Sequence, residues 1–145
     1  MLKTKLLHPE MSRVLAMSGH FSRILIADGN FPVASRLGPH ASAVYLNLTP
    51  GIPTATDVLR VILDTVPVQA ATLMEIPNGA PAPIHAEYKA MLPAGLPVEH
   101  LERQAFYDAV CSPWTTLVVA TAETRRFANL LLEVGVVKLE KDERY

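Results

Sequence analysis

Short, uninterrupted apolar runs that alternate with helix-like segments constrain the fold of this chain more than any other feature. Residues 24–27 and 116–120 are such runs, and their length and apolar content are typical of strands buried on both faces. The helix-like segments around them end at glycine or proline, which are common helix terminators. This alternation predicts an α/β fold, with residues 1–145 as a single three-layer domain whose mostly parallel central sheet is flanked by helices.

The same signals predict the order of the elements. Strands are expected at residues 24–27, 43–47, 70–76, 98–101, 116–120 and 136–139. Helices are expected at residues 10–18, 56–63, 84–91, 103–111 and 122–134. Thr56 and Thr121 are the expected N-caps of the second and the last of these helices, and Gly135 is the expected end of the last.

Composition excludes several classes of protein. Half of the 145 residues are hydrophobic and 19% are charged, which is typical of a well-cored globular chain. The formal net charge is −1 and Lys and Arg are not clustered, so we expect no nucleic-acid partner. No apolar run is long enough to span a bilayer and no signal-peptide core is present, so we expect no membrane partner. A single cysteine, Cys111, excludes an intrachain disulfide and favours a cytoplasmic protein.

Two polar residues flank the first apolar run. His20 follows the first predicted helix, where its imidazole either caps helix carbonyls or, with a pKa of about 6.5, exchanges protons with a ligand. Asp28 follows the strand and precedes Gly29, where it either forms an Asx turn or accepts hydrogen bonds from sugar-like hydroxyls. Because open α/β folds bind ligands beyond the carboxyl ends of their strands, we expect His20 and Asp28 at one rim.

Two later segments also carry candidate functional groups. Arg103 lies three and four residues before Phe106 and Tyr107, so the three share a helix face. Arg103 is either a solvated charge beside a core phenylalanine or a planar donor for a ligand, with Tyr107 as a proton relay. Asn129 has low helix propensity, so it is either an exposed helix residue or has a buried polar role.

Motifs for other chemistries are missing from the sequence. The five histidines form no H-E-x-x-H pair, and His85 with Glu87 imitates a zinc-deaminase motif whose cysteine pair is absent. No P-loop, G-x-S-x-G or G-x-G-x-x-G motif is present. We therefore expect neither a metal site nor a cofactor.

The segments resemble, taken together, the ribose pyranase and fucose mutarotase family of cytoplasmic sugar mutarotases. The resemblance is carried by G-H at 19–20, A-D-G-N-F-P at 27–32, R-Q-A-F-Y at 103–107, V-A-T-A-E at 119–123 and F-A-N at 127–129. The order and spacing of these motifs are those of the family, and the resemblance covers most of the chain.

This resemblance implies an isomerase that needs no cofactor. Members of the family exchange the anomers of a free monosaccharide such as L-fucose, and in the ribose branch they also exchange its ring forms. The resemblance also implies a homo-oligomer, such as a decameric ring, with pockets near the subunit interfaces. The alternative is a sugar-binding or transport-accessory protein that does not turn its ligand over.

Roles for individual residues follow from the same resemblance. His20 matches the catalytic proton donor, and Tyr107 matches a tyrosine of the fucose branch that acts in proton transfer. The positions that match sugar-binding residues are Asp28, Arg103, Phe127 and Asn129. Because the ribose branch has histidine at the position of Arg103, the chain is closer to the fucose branch.

Two positions depart from the family pattern. Phe127 replaces the usual tyrosine and removes a phenol, and Gln69 stands near a position where some fucose-branch members carry an acid. Both departures concern the identity of the sugar and not the type of reaction.

Overall fold

Six strands form one sheet in the computed structural model, which describes residues 1–80 and 82–138. The strands are β1 (Arg23–Ala27), β2 (Ser42–Tyr45), β3 (Val68–Met74), β4 (Val98–Leu101), β5 (Thr115–Ala120) and β6 (Leu130–Val134). Their order across the sheet is β2-β5-β1-β6-β3-β4. Every strand runs in the same direction except β6, which is antiparallel to β1 and β3. The predicted mostly parallel sheet is therefore confirmed.

Four helices cover the two faces of this sheet. They are α1 (Pro9–Met17), α2 (Ala55–Leu63), α3 (Pro83–Met91) and α4 (Arg103–Val110). The first three pack on one face, and α4 packs on the other beside the loop that follows β1. The expected three-layer α/β arrangement is confirmed. None of the helices in the described ranges has the length and apolar character needed to cross a membrane.

Burial on both faces explains the apolar strands. In β1, Ile24 and Ile26 face the core under α1–α3, whereas Leu25 and Ala27 face the core under α4. Successive side chains of a strand point to opposite faces, so a strand covered on both sides has no polar position. The continuous apolar run in the sequence is therefore a consequence of the central position of β1.

The predicted N-cap of the second helix is wrong by two residues. Thr54, not Thr56, caps α2: its backbone is extended and its side chain accepts a hydrogen bond from the Asp57 amide at 3.2 Å. The Asp57 carboxylate accepts one in return from the Thr54 amide at 3.0 Å. This reciprocal capping box satisfies two amides, whereas Thr56 lies inside the helix.

The predicted last helix is also wrong. Residues 121–129 form an irregular loop and Leu130–Val134 is strand β6, which pairs on both sides with β1 and β3. A run of buried leucines fits a helix and a two-sided strand equally well, and the pairing partners decide between them. Thr121 caps no helix, since its hydroxyl donates to the Ala27 carbonyl at 2.7 Å. Residues 136–138 are irregular where a strand was predicted, and residue 139 lies outside the described residues.

Candidate functional site

Asp28 and Asn129 are joined by two hydrogen bonds at the carboxyl end of β1. The Asp28 amide donates to Asn129 Oδ1, and Asn129 Nδ2 donates to Asp28 Oδ2, both at 2.9 Å. The Asn30 amide donates to Asp28 Oδ1 at 3.0 Å, so the predicted Asx turn is also present. Asn129 precedes β6 in the loop rather than lying in a helix. Its side chain fixes the orientation of the carboxylate.

Both partners of this pair are buried, each with 5% of its surface exposed. Asp28 thus lies beyond the carboxyl end of β1, as predicted, but its side chain is buried there. Burial raises the pKa of the Asp28 carboxyl above its ordinary value, and the hydrogen bonds from the neighbouring amides and Asn129 oppose that rise. A carboxylate held by several donors in a nearly dry setting is a strong acceptor for ligand hydroxyls.

Helix α3 holds the loop that carries Phe127 and Asn129. His85 Nε2 donates to the Phe127 carbonyl at 2.8 Å, and the Tyr88 hydroxyl donates to the Ala128 carbonyl at 2.6 Å. Phe127 has a left-handed backbone with φ of 58°, which is unusual for a bulky residue and must be stabilised by its surroundings. Burial lowers the pKa of His85, so the neutral imidazole is favoured as the donor.

A cavity of about 330 Å³ joins five of the six predicted site residues. They are Asp28, Arg103, Tyr107, Phe127 and Asn129. The cavity opens beyond the carboxyl end of β1, where ligands bind in open α/β folds. Its lining offers one carboxylate, two side-chain amides, two guanidiniums, one phenol and two phenylalanine rings. Such a set suits a small ligand that has several hydroxyls and an apolar face.

Helix α4 contributes Arg103 and Tyr107 to this cavity. Its N-terminus is fixed by the Glu102 carboxylate, which accepts from the Gln104 and Ala105 amides. The ring of Tyr107 is half-buried and meets Phe31 edge-on, with 5.5 Å between the ring centroids. The four-residue spacing places the exposed Arg103 on the same side of the helix. The helix-face prediction for these two residues is confirmed.

A larger cavity of about 1090 Å³ lies next to the first one and shares Arg103 with it. Its walls are mainly apolar and include Tyr88, Leu92 and Val98. His85 and His100 also line it, with their ring centroids 6.0 Å apart. Five of the six predicted site residues line the smaller cavity and only Arg103 lines the larger one, so we place the candidate site in the smaller cavity.

His20 lies at the opposite end of β1 from Asp28. His20 precedes this five-residue strand and Asp28 follows it, and a strand of that length spans about 16 Å. The expectation that the two residues share one rim within a chain is therefore wrong. The alternative role as a helix cap is not observed either, because Ser18 caps α1. His20 is exposed, and its Nε2 lies 2.9 Å from Gln69 Oε1.

Sequence reasoning missed the ion pair between the buried Glu123 and the partly exposed Arg125. The Arg125 guanidinium donates to both carboxylate oxygens of Glu123 at 2.9 Å, and the Ala55 amide donates to Oε2 at 3.3 Å. Arg125 also donates to Glu87 on α3 at 2.7 Å. The pair therefore ties the 121–129 loop to α2 and α3. The prediction of a helix at residues 122–134 included both residues and gave no sign of their pairing.

We expect Glu123→Gln to lower the free energy of unfolding by about 2 kcal/mol at pH 7, because the partly exposed Arg125 guanidinium loses the buried carboxylate that pairs with it. Hydrogen bonds from Arg125 hold the pKa of Glu123 below its ordinary value of 4.5. This contribution is therefore present above pH 4.5 and is lost as the pH falls through the lowered folded-state pKa. Urea unfolding at several pH values measures it.

Glu87→Gln is the matched control, since it removes only the half-exposed end of the same network. It should cost less than about 1 kcal/mol. Equal losses for the two variants at pH 7 would show that the buried carboxylate has no special role in stability.

Comparison with known proteins finds relatives that match nearly the whole chain. The family model described as the RbsD / FucU transport protein family matches residues 1–137. The D-ribose pyranase of Variovorax paradoxus is 34% identical over 142 residues, which cover 94% of this chain and 98% of that protein. The fucose mutarotase of Homo sapiens is 36% identical over 147 residues, which cover 92% of each chain.

Solved structures share the fold. Bacillus subtilis RbsD complexed with D-ribose superposes with a TM-score of 0.82 at 22% identity, over 95% of this chain and all of that one. The fucose mutarotase in complex with L-fucose from Streptococcus pneumoniae gives 0.78 at 27% identity, over 94% and 100%. The relatives are named as isomerases of sugar rings and anomers, so the predicted isomerase class is confirmed. The chain belongs to the RbsD / FucU transport protein family.

Proposed function

We propose that this protein is a cofactor-free mutarotase that interconverts the anomers of a free monosaccharide, with L-fucose or a related aldose as substrate. The observation that carries the proposal is the convergence of Asp28, Arg103, Tyr107, Phe127 and Asn129 on one cavity. Relatives named as ribose pyranase and fucose mutarotase, and neighbours with D-ribose and L-fucose bound, support a monosaccharide ligand.

Anomer exchange requires only proton transfers. A proton is given to the ring oxygen and another is taken from the anomeric hydroxyl, so the bond between C1 and the ring oxygen breaks and a carbonyl forms at C1. Rotation about the C1–C2 bond and closure on the other face reverse both transfers. Atoms and electrons balance without an oxidant or a leaving group, and two groups that exchange protons near neutral pH suffice.

The residues divide this work by their chemistry. Asp28, held by Asn129 and the Asn30 amide, accepts hydrogen bonds from sugar hydroxyls. Arg103 donates to sugar oxygens, because a guanidinium offers donors only. The Phe127 ring covers a C–H face of the sugar. Tyr107 relays a proton at the cavity wall, and His20 is the proton donor.

His20 reaches the sugar from a second copy of the chain. Strand β1 separates it from the pocket of its own chain. Exposed apolar side chains lie near it. Phe21, which stacks on the imidazole, and Trp114, which meets Phe21 edge-on, have 47% and 57% of their surfaces exposed, and Met17, three residues earlier in the chain, has 66%. Burial of such a patch against a neighbouring subunit is favourable. A homo-oligomer, such as a decameric ring with its pockets at the subunit interfaces, brings the two halves of the site together.

NMR magnetisation exchange between the two anomers tests the proposed function. The protein, added to a panel of aldoses that includes L-fucose and D-ribose, should raise the exchange rate above the spontaneous rate for at least one sugar. EDTA should leave this acceleration unchanged. Sugar-dependent shifts in the protein spectrum without any acceleration would instead identify the alternative, a sugar-binding or transport-accessory protein.

Phe127→Tyr is expected to change the ranking of sugars. The His85 hydrogen bond to the Phe127 carbonyl holds the ring in place, so the new phenol should point into the cavity. When phenylalanine leaves a sugar oxygen without a hydrogen-bond partner, the interaction with that sugar is weaker by about 1–3 kcal/mol, which corresponds to a factor of roughly 5–150. Exchange of fucose-like or ribose-like sugars should rise relative to the sugar that the wild type prefers. An unchanged ranking across the panel would show that Phe127 only packs.

A further inference from the structure

A chain of four polar side chains ends at the imidazole of His20. Arg23 pairs with Glu133 at 3.3 Å, and Gln69 Nε2 donates to Glu133 Oε1 at 2.9 Å. Gln69 Oε1 then lies 2.9 Å from His20 Nε2. The four residues lie at the same end of three neighbouring strands, on or beside β1, β3 and β6. The residues of the candidate site, at the carboxyl end of β1, take no part in this series of side-chain contacts.

The chemistry of these groups leaves one arrangement of protons. A carboxylate only accepts hydrogen bonds, so Gln69 must turn its NH₂ group toward Glu133 and its oxygen toward His20. The pairing of Glu133 with Arg23 favours the ionised carboxylate. An amide oxygen also only accepts, so the contact at 2.9 Å requires a proton on His20 Nε2.

We propose that Gln69 is a positioning residue that fixes His20 in the Nε2–H tautomer and leaves Nδ1 as the atom that exchanges protons with the sugar. The role of Nδ1 in proton exchange with the sugar rests on the proposed function, whereas the tautomer assignment does not. No described residue forms a hydrogen bond with Nδ1. The Phe21 ring stacks on the imidazole with centroids 3.8 Å apart and so fixes the plane of the ring.

Gln69 differs from an acid in the proton transfers that it permits. An amide cannot take up a proton near neutral pH, so Nε2 keeps its hydrogen while Nδ1 alternates between donor and acceptor. A carboxylate at position 69 would stabilise the imidazolium and raise the pKa of His20. The charged groups that face this region are Arg23 on β1 and Glu133 on β6, and they are paired with each other. The amide at position 69 therefore leaves Nδ1 as the ring nitrogen that exchanges its proton.

The tautomer is measured without turnover. Long-range ¹H–¹⁵N correlation spectra of ¹⁵N-histidine protein, assigned with His20→Ala, should show an Nε2-protonated and Nδ1-unprotonated ring above its pKa. Glu133→Gln removes the carboxylate that orients the Gln69 amide, without altering an atom that touches His20. This variant should shift the ring toward a mixture of tautomers. An Nδ1–H or mixed ring in the wild type would overturn the inference.

The pH dependence of exchange tests the role of Nδ1. Gln69→Glu should move both the NMR titration of His20 and the acid limb of the rate profile up by about one pH unit. Gln69→Leu should lower kcat while KM changes little, because it frees the tautomer without touching the pocket. If the wild type is active and the Gln69 variants show the same rate profiles as the wild type, the role of Nδ1 is overturned. An Nε2–H ring in a wild type that accelerates no sugar would refute the proposed function and leave the tautomer assignment standing.

Discussion

His20→Ala is expected to slow anomer exchange by roughly 10²–10⁴-fold, the usual contribution of a general acid or base. The substitution leaves Asp28, Arg103, Phe127 and Asn129, the proposed sugar-binding residues, unchanged, so sugar binding should persist. The fold should also persist, since the imidazole is exposed and forms one hydrogen bond within the described residues, to Gln69. NMR magnetisation exchange gives the rate, and sugar titration gives the affinity.

His100→Ala is the matched control for this substitution, because His100 is also an exposed histidine and lies outside the smaller cavity. Its exchange rate should stay within about twofold of the wild type, as expected for a group that transfers no proton to the sugar. Wild-type exchange in His20→Ala would remove this residue from the mechanism. A loss of folded signal in the amide spectrum would instead assign His20 a structural role.

Co-expression of His20→Ala with Asp28→Asn is expected to restore exchange that neither variant shows alone. If a pocket takes Asp28 from one subunit and His20 from its neighbour, random mixing leaves about one quarter of the pockets with both wild-type residues. The mixed protein should therefore recover about a quarter of the wild-type activity. Differently tagged chains purified in tandem ensure that the measured oligomers are mixed.

A second pair of variants guards against misfolding of Asp28→Asn, since Asp28 is buried and accepts two hydrogen bonds. Arg103 is exposed, so Arg103→Ala is expected to weaken binding with little effect on stability. Co-expression of wild type with the double variant His20→Ala and Arg103→Ala measures how far inactive chains lower the activity of wild-type chains in the same oligomer. Mixed oligomers no more active than the separate variants would contradict a site shared between subunits.

Local patterns were enough to predict much of the sheet and the pocket. Apolar runs at β1 and β5 are unambiguous because each is bounded by turn residues and is too short for a helix. The spacing of Arg103 and Tyr107 on α4 depends only on helical periodicity. The resemblance then selected Asp28, Phe127 and Asn129, which the structure brings to the same cavity.

Ambiguous patterns produced the errors. The leucines of β6 satisfy both a helix and a strand, and only pairing with β1 and β3 makes this segment a strand. The same error hid Glu123 and Arg125, whose contacts extend to Ala55 and Glu87, far away in the chain. A hydrogen bond between distant residues leaves no periodic signal in a sequence.

The sequence by itself, through its motifs and the family that they resemble, predicted His20, Asp28 and Asn129 as candidate site residues. Only the tertiary structure decided where each of them lies. A strand carries its two ends to opposite edges of the sheet, so β1 separates His20 from Asp28 although they are eight residues apart. The antiparallel β6 begins beside Asp28 and ends beside His20, and thus brings Asn129 to one edge and Glu133 toward the other.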